Sequence, residues 1–131
     1  MADELTLQKQ QELVKVLDQQ GISEMLQPLI REIHLFDTYV AGTTHLEDPS
    51  VLQQIHVDDK LILQREDNRY DSKAILVLTE AKQKLGYIPE KDNLIFSRLM
   101  DAGKLLTGKI RKIQQKGSFK QISIGIYLVD L

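Results

Sequence analysis

The chain has no cysteine. That excludes disulfides, thiolate zinc sites and cysteine nucleophiles, and it fits a reducing, cytoplasmic setting. No apolar run approaches the ~18 residues that span a bilayer, so the sequence is expected to stay out of the membrane. The first ten residues, MADELTLQKQ, hold acids and glutamines where a secretory leader needs a basic start and an apolar stretch, and secretion is not expected. Repeats, low-complexity segments and a glycine-rich phosphate loop are absent as well. The glycine at Gly108 lacks both the glycine spacing and the helix of a P-loop.

What remains is an ordinary globular composition, 131 residues with 42% hydrophobic and 27% charged, the size of one domain with an appendage. The net charge of −2 is unevenly spread. Residues 1–37 hold seven acids against three bases (net −4), and the remaining 94 hold twelve acids against fourteen bases (net +2). Lys104, Lys109, Arg111, Lys112, Lys116 and Lys120 occur with no intervening acid. Such a run is either a solvated strand face or a track for phosphates.

Leu13, Val14 and Leu17 recur at helical spacing up to Gly21, and Ser23 is suited to cap SEMLQPLIREI, with Pro28 about a turn inside. Residues 1–32 are therefore expected to form a helical appendage. Its apolar stripe packs either on its own domain or on a protein partner or second copy. Beyond Ile33 the period shortens toward two. Strands are expected over His34–Ala41, Lys60–Arg65, Ala74–Leu78, Lys84–Ile88, Leu105–Ile113 and Phe119–Val129, with a short helix around LIFSRLMDA that Asp92 or Asn93 caps and Gly103 ends. Six strands with one inserted helix make residues 33–131 a mainly β domain, a small antiparallel barrel of OB or SH3 type.

The polar loop REDNRYD between two apolar strands is the richest stretch. Asn68 and Asp71 suit a tight turn by themselves. Tyr70 does not follow from turn chemistry, and a loop tyrosine offers a face on which a base can stack. A neighbouring carboxylate can accept a hydrogen bond from a sugar hydroxyl. Enzymatic arrangements are weaker. His34, His45 and His56 recur every eleven residues without the setting of a zinc site. Asp58 and Asp59 are adjacent and project differently, as turn-shaping residues do. No cofactor, metal or catalytic role is expected.

The segments YVAGTTH, LQREDNRYDSKAI, LGYIP, NLIFSRLMDAG and GKIRKI, in that order between Tyr39 and Phe119, resemble the HIRAN domain. That family is found fused to fork-remodelling helicase-like ATPases and alone in bacteria. The N-x-Y-D-x-x-A-I pattern joined to L-G-Y-I-P carries the likeness. It implies an OB-like barrel that receives the 3′ end of single-stranded DNA, in repair or fork processing. Position by position, it implies that Tyr39 and Tyr70 pack against the terminal base, Asp71 takes the 3′-hydroxyl, and Asn68 holds the loop or the base edge. It also implies that Phe119 offers another stacking surface and Lys91 faces a phosphate. Two positions depart from the DNA-binding form. Thr38 stands where a basic residue is found and Tyr87, counted with the site, where a histidine is found. Fewer phosphate contacts imply weaker binding and a flatter salt dependence. Packing remains the other explanation for Tyr39, Tyr87 and Phe119, and a protein-interaction module is the alternative function.

Overall fold

The structure, a computed structural model, describes residues 31–130. The helical appendage expected over residues 1–32, and any partner bound through it, fall almost wholly outside them. Glu32–Val129 form one compact unit, and the description concerns that unit.

Six strands build one antiparallel sheet: β1 (Arg31–Tyr39), β2 (Lys60–Arg65), β3 (Ile75–Thr79), β4 (Lys84–Tyr87), β5 (Leu106–Lys116) and β6 (Phe119–Asp130), in the spatial order β1-β6-β5-β2-β3-β4. Alternation explains the inward faces. Leu61 and Leu63 of β2 are buried between exposed Lys60 and Gln64, and Ile122, Ile124 and Ile126 of β6 have no exposed surface. Each such isoleucine contributes roughly 1.5–3 kcal/mol on leaving water. These residues join Ile75, Val77, Leu85 and Ile110 in one core.

The helix α1 (Asn93–Asp101) lies where expected and buries Phe96 and Ser97. Its start differs from expectation in detail. Asp92 occupies the cap position without a capping hydrogen bond, because its carboxylate accepts from Thr38 Oγ at 2.7 Å. The stretch before β2, to which the sequence assigns no strand or helix, also carries structure. It contains 3-10 turns at Thr43–His45 and Pro49–Gln53, and Val51 of the second turn and Ile55 just after it join the core.

The sheet curls like a barrel but does not close into one. Past β1, the chain meets the opposite edge strand in a single bridge: Ala41 donates to the Tyr87 carbonyl at 2.8 Å and Tyr87 to the Ala41 carbonyl at 2.9 Å. Gly86 makes this approach possible. A β-carbon there would stand 2.2 Å from the Ala41 carbonyl oxygen, and its φ of +154° disfavours side chains as well. The glycine of the LGYIP segment is therefore a requirement of the near-closure.

Candidate nucleic-acid interface

The β2–β3 loop is held in shape by its own polar groups. The Asn68 carboxamide oxygen accepts from the backbone N–H groups of Tyr70 (3.0 Å) and Asp71 (2.7 Å), an Asx-type turn, while its amide donates to Glu66 at 3.0 Å. Asp71 uses both carboxylate oxygens. One accepts from the Lys73 N–H at 2.9 Å, and the other from the Asn93 amide at 2.8 Å. Asn93 is 2% exposed, so Asp71 ties the loop to the first turn of α1. At the loop base, the Arg65 guanidinium donates to the Ala74 and Ser72 carbonyls (2.6 and 2.9 Å) and forks onto Asp101 (2.9 and 3.2 Å). That contact holds the Asp101 carboxyl below its ordinary range. A bidentate arginine pair of this kind fixes geometry as well as charge.

The turn thus constrained projects Tyr70 into solvent, 83% exposed. A groove of about 330 Å³ runs beneath it, lined by Asn68, Tyr70, Asp71, Tyr87, Gly42 and Glu90 among others. Tyr87 arrives from β4, where an irregular register between Val77 and Leu78 leaves Leu85 without a partner in the ladder. Such a bulge re-aims the strand and sets Lys84 Nζ 4.6 Å from the centre of the Tyr87 ring. Glu66 is held below the usual carboxylate range, first by the Tyr87 hydroxyl, then by the Asn68 amide and the nearby Lys84 charge.

The electrostatic layout is an acidic floor with cations at the tyrosines. Asp71 and Glu90 line the groove. Each of the three tyrosines considered carries a cation over its ring: Arg69 over Tyr70 at 5.1 Å, Lys84 over Tyr87 at 4.6 Å, and Lys91 over Tyr39 at 5.5 Å. Such pairs attract through the ring quadrupole. They also place a positive charge beside each stacking surface.

Of the seven residues singled out from sequence, Asn68, Tyr70, Asp71 and Tyr87 meet in this one groove. Tyr39 and Lys91 contact each other outside its lining, with Lys91 Nζ 3.8 Å from Asp92. Phe119 lines a separate groove of about 450 Å³ with Leu52, Gln115 and Lys120. Thr38 is bound to Asp92, which leaves that position serving the fold. Sequence reading did not single out Glu66, Arg69, Lys84 or Glu90. Arg69 had a local signal, its place beside Tyr70, whereas Lys84 and Glu90 join the site only through the curl of the sheet.

Among curated proteins, none matches this chain. Solved structures of similar fold include a crystal structure of a protein from Lactobacillus plantarum, 29% identical with a TM-score of 0.72, the match covering 78% of this chain and 99% of that one. The crystal structure of the HIRAN domain of human HLTF is also similar in fold, with a TM-score of 0.60 at 16% identity, covering 76% of this chain and 78% of that one. The model of the HIRAN domain family matches residues 33–129, nearly all of the β unit and well over half of the sequence, and on that ground the chain belongs to the HIRAN domain family.

Proposed function

We propose that this protein is a nucleic-acid-binding module whose groove receives the end of a single strand, with DNA as its ligand and repair or fork processing as its setting. HIRAN domains are nucleic-acid-binding modules rather than catalysts, and family membership supports the coarse reading. The finer reading is carried by one observation: a groove that brings together an exposed loop tyrosine, a strand tyrosine and a carboxylate.

The roles follow from the chemistry of those groups. Tyr70 stacks on the terminal base, a contact of roughly 1–3 kcal/mol, and Tyr87 packs against it from β4. Asp71 retains lone pairs beyond the two hydrogen bonds it accepts, and one of them takes the terminal 3′-hydroxyl. The acidic floor favours a neutral hydroxyl over a phosphate, since like charges repel in a confined groove. Arg69 and Lys84, each beside a groove tyrosine, take the next phosphates along the strand in this reading, and Lys91 beside Tyr39 extends that path.

Exposed apolar residues on the edge strand β1, Ile33, Leu35 and Phe36, favour a second reading, in which the domain docks another protein. Titration of a labelled single-stranded oligonucleotide at low and moderate salt separates the two. The nucleic-acid reading predicts binding that weakens as salt rises. Absence of binding at low salt would leave the protein-docking reading in its place.

A further inference from the structure

The basic run of β5 is not part of the groove, yet the sheet register gathers its charges on one outer face. Lys60 of β2 is directly opposite Lys109 of β5, and Lys109 is opposite Gly125 of β6. Like charges in opposed positions destabilise a sheet. Further along β5, the register shifts between Ile110 and Lys112, so that Arg111 has no partner in the ladder and Lys112 pairs with Ser123. This bulge lets Arg111 reach the Tyr127 hydroxyl, to which it donates at 3.2 Å. Lys109 Nζ lies 5.4 Å from the centre of the same ring, and His34 of β1 packs against it at 5.3 Å.

Tyr127 organises the cluster. Its ring lies across Gly125, where a β-carbon would stand 2.9 Å from its hydroxyl oxygen, and it is only 7% exposed. It therefore positions cations and presents no face to a base. Among the described residues, no carboxylate forms an ion pair with Lys60, Lys109, Arg111 or Lys112. Of the two acids beside Lys60 in sequence, Asp59 accepts from the His56 N–H at 2.8 Å, and Asp58 donates its backbone N–H to the Ile110 carbonyl at 2.8 Å.

We infer that this outer face is a second nucleic-acid contact, separate from the groove, in which Lys60, Lys109, Arg111 and Lys112 bind the phosphodiester backbone without reading bases or ends. The inference rests on the nucleic-acid-binding reading of the protein, but not on end recognition by the groove. Four cations spread over two adjacent strands match the repeated charge of a backbone better than a single small anion. The lack of an exposed aromatic among them argues for a sequence-independent contact.

The test uses the full chain with one single-stranded DNA sequence in two forms, linear and covalently circular, the circle having no end for the groove. The variant is Lys60→Gln/Arg111→Gln/Lys112→Gln, which keeps Lys109 on the Tyr127 ring. Removing Lys60 relieves the pairing with Lys109 and offsets the loss of the Arg111 hydrogen bond to Tyr127, so the melting temperature is expected to hold within a few degrees. Wild type is expected to bind both forms, the linear one more tightly, and the variant to lose at least severalfold in affinity for both. The slope of log K against log salt should shrink by about 2, at ~0.7 for each of three phosphate contacts. A folded variant that binds the circle as well as wild type does would overturn the second contact. Wild-type binding of the linear strand alone would overturn it too while sparing the groove, and binding of neither form would overturn both readings.

Discussion

Tyr70 and Asp71 are neighbours in sequence, yet the structure gives them different burdens. Tyr70 is 83% exposed, with the Arg69 guanidinium over its ring and donating to its hydroxyl. Tyr70→Ala should therefore weaken single-strand binding by roughly 1–3 kcal/mol, the worth of one stacked base, while a thermal melt stays within a degree or two of wild type. Asp71 holds the buried Asn93 amide and the Lys73 N–H. Asp71→Ala leaves that amide unpaired at a cost of about 1–3 kcal/mol, which chemical denaturation would measure. Asp71→Asn, which keeps an acceptor, is the better probe of hydroxyl recognition. Glu66 carries a pH signature. Its folded value lies below the ordinary 4.5, so its contribution is fully present above that pH and is lost as pH falls through the folded value. Denaturation midpoints between pH 6 and 3 should fall less steeply for Glu66→Gln than for wild type.

At the scale of elements, the strand pattern was largely readable because alternation and burial agree. The β2 limits, Lys60–Arg65, coincide with the apolar run of KLILQR, and burial alternates along it at Leu61 and Leu63. The last hairpin begins its second strand at Phe119 as expected, but β5 runs on to Lys116 rather than ending at Ile113, because the tight turn at Gly117 lets cross-strand pairing continue over polar residues that show no alternation. The turn at Pro49–Gln53 was hidden for the opposite reason. Its apolar residues Val51 and Leu52, with Ile55 just beyond it, stand among polar neighbours, and only the core of the folded sheet gives them a place to be buried. Asn68 and Asp71 were legible through turn chemistry, whereas Lys84 depended on the irregular β3–β4 register, a long-range pairing that local pattern does not encode. Gly86 links this scale to the site. Gly86→Ala should cost at least the ~1–3 kcal/mol typical of overpacking and separate Ala41 from Tyr87. Lower denaturation midpoints together with weakened strand binding would record that loss.

For the whole molecule, the sheet curls until the chain past β1 reaches β4, and this near-closure forms the groove between the Ala41–Tyr87 bridge and the Asn68–Asp71 turn. Phe119 borders a separate groove, and the basic run of β5 occupies the outer face. The features gathered from sequence thus fall into spatially separate groups. Of the two grooves, the one beneath Tyr70 joins its stacking surface to a carboxylate, whereas the lining around Phe119 holds none. The most direct measurement is the affinity of the protein for one short single-stranded DNA ending in either a 3′-hydroxyl or a 3′-phosphate, at a fixed moderate salt. Tighter binding of the hydroxyl end, with the difference reduced by Asp71→Asn, is the predicted result. Equal affinity for the two ends, or preference for the phosphate, would contradict end capture by this groove.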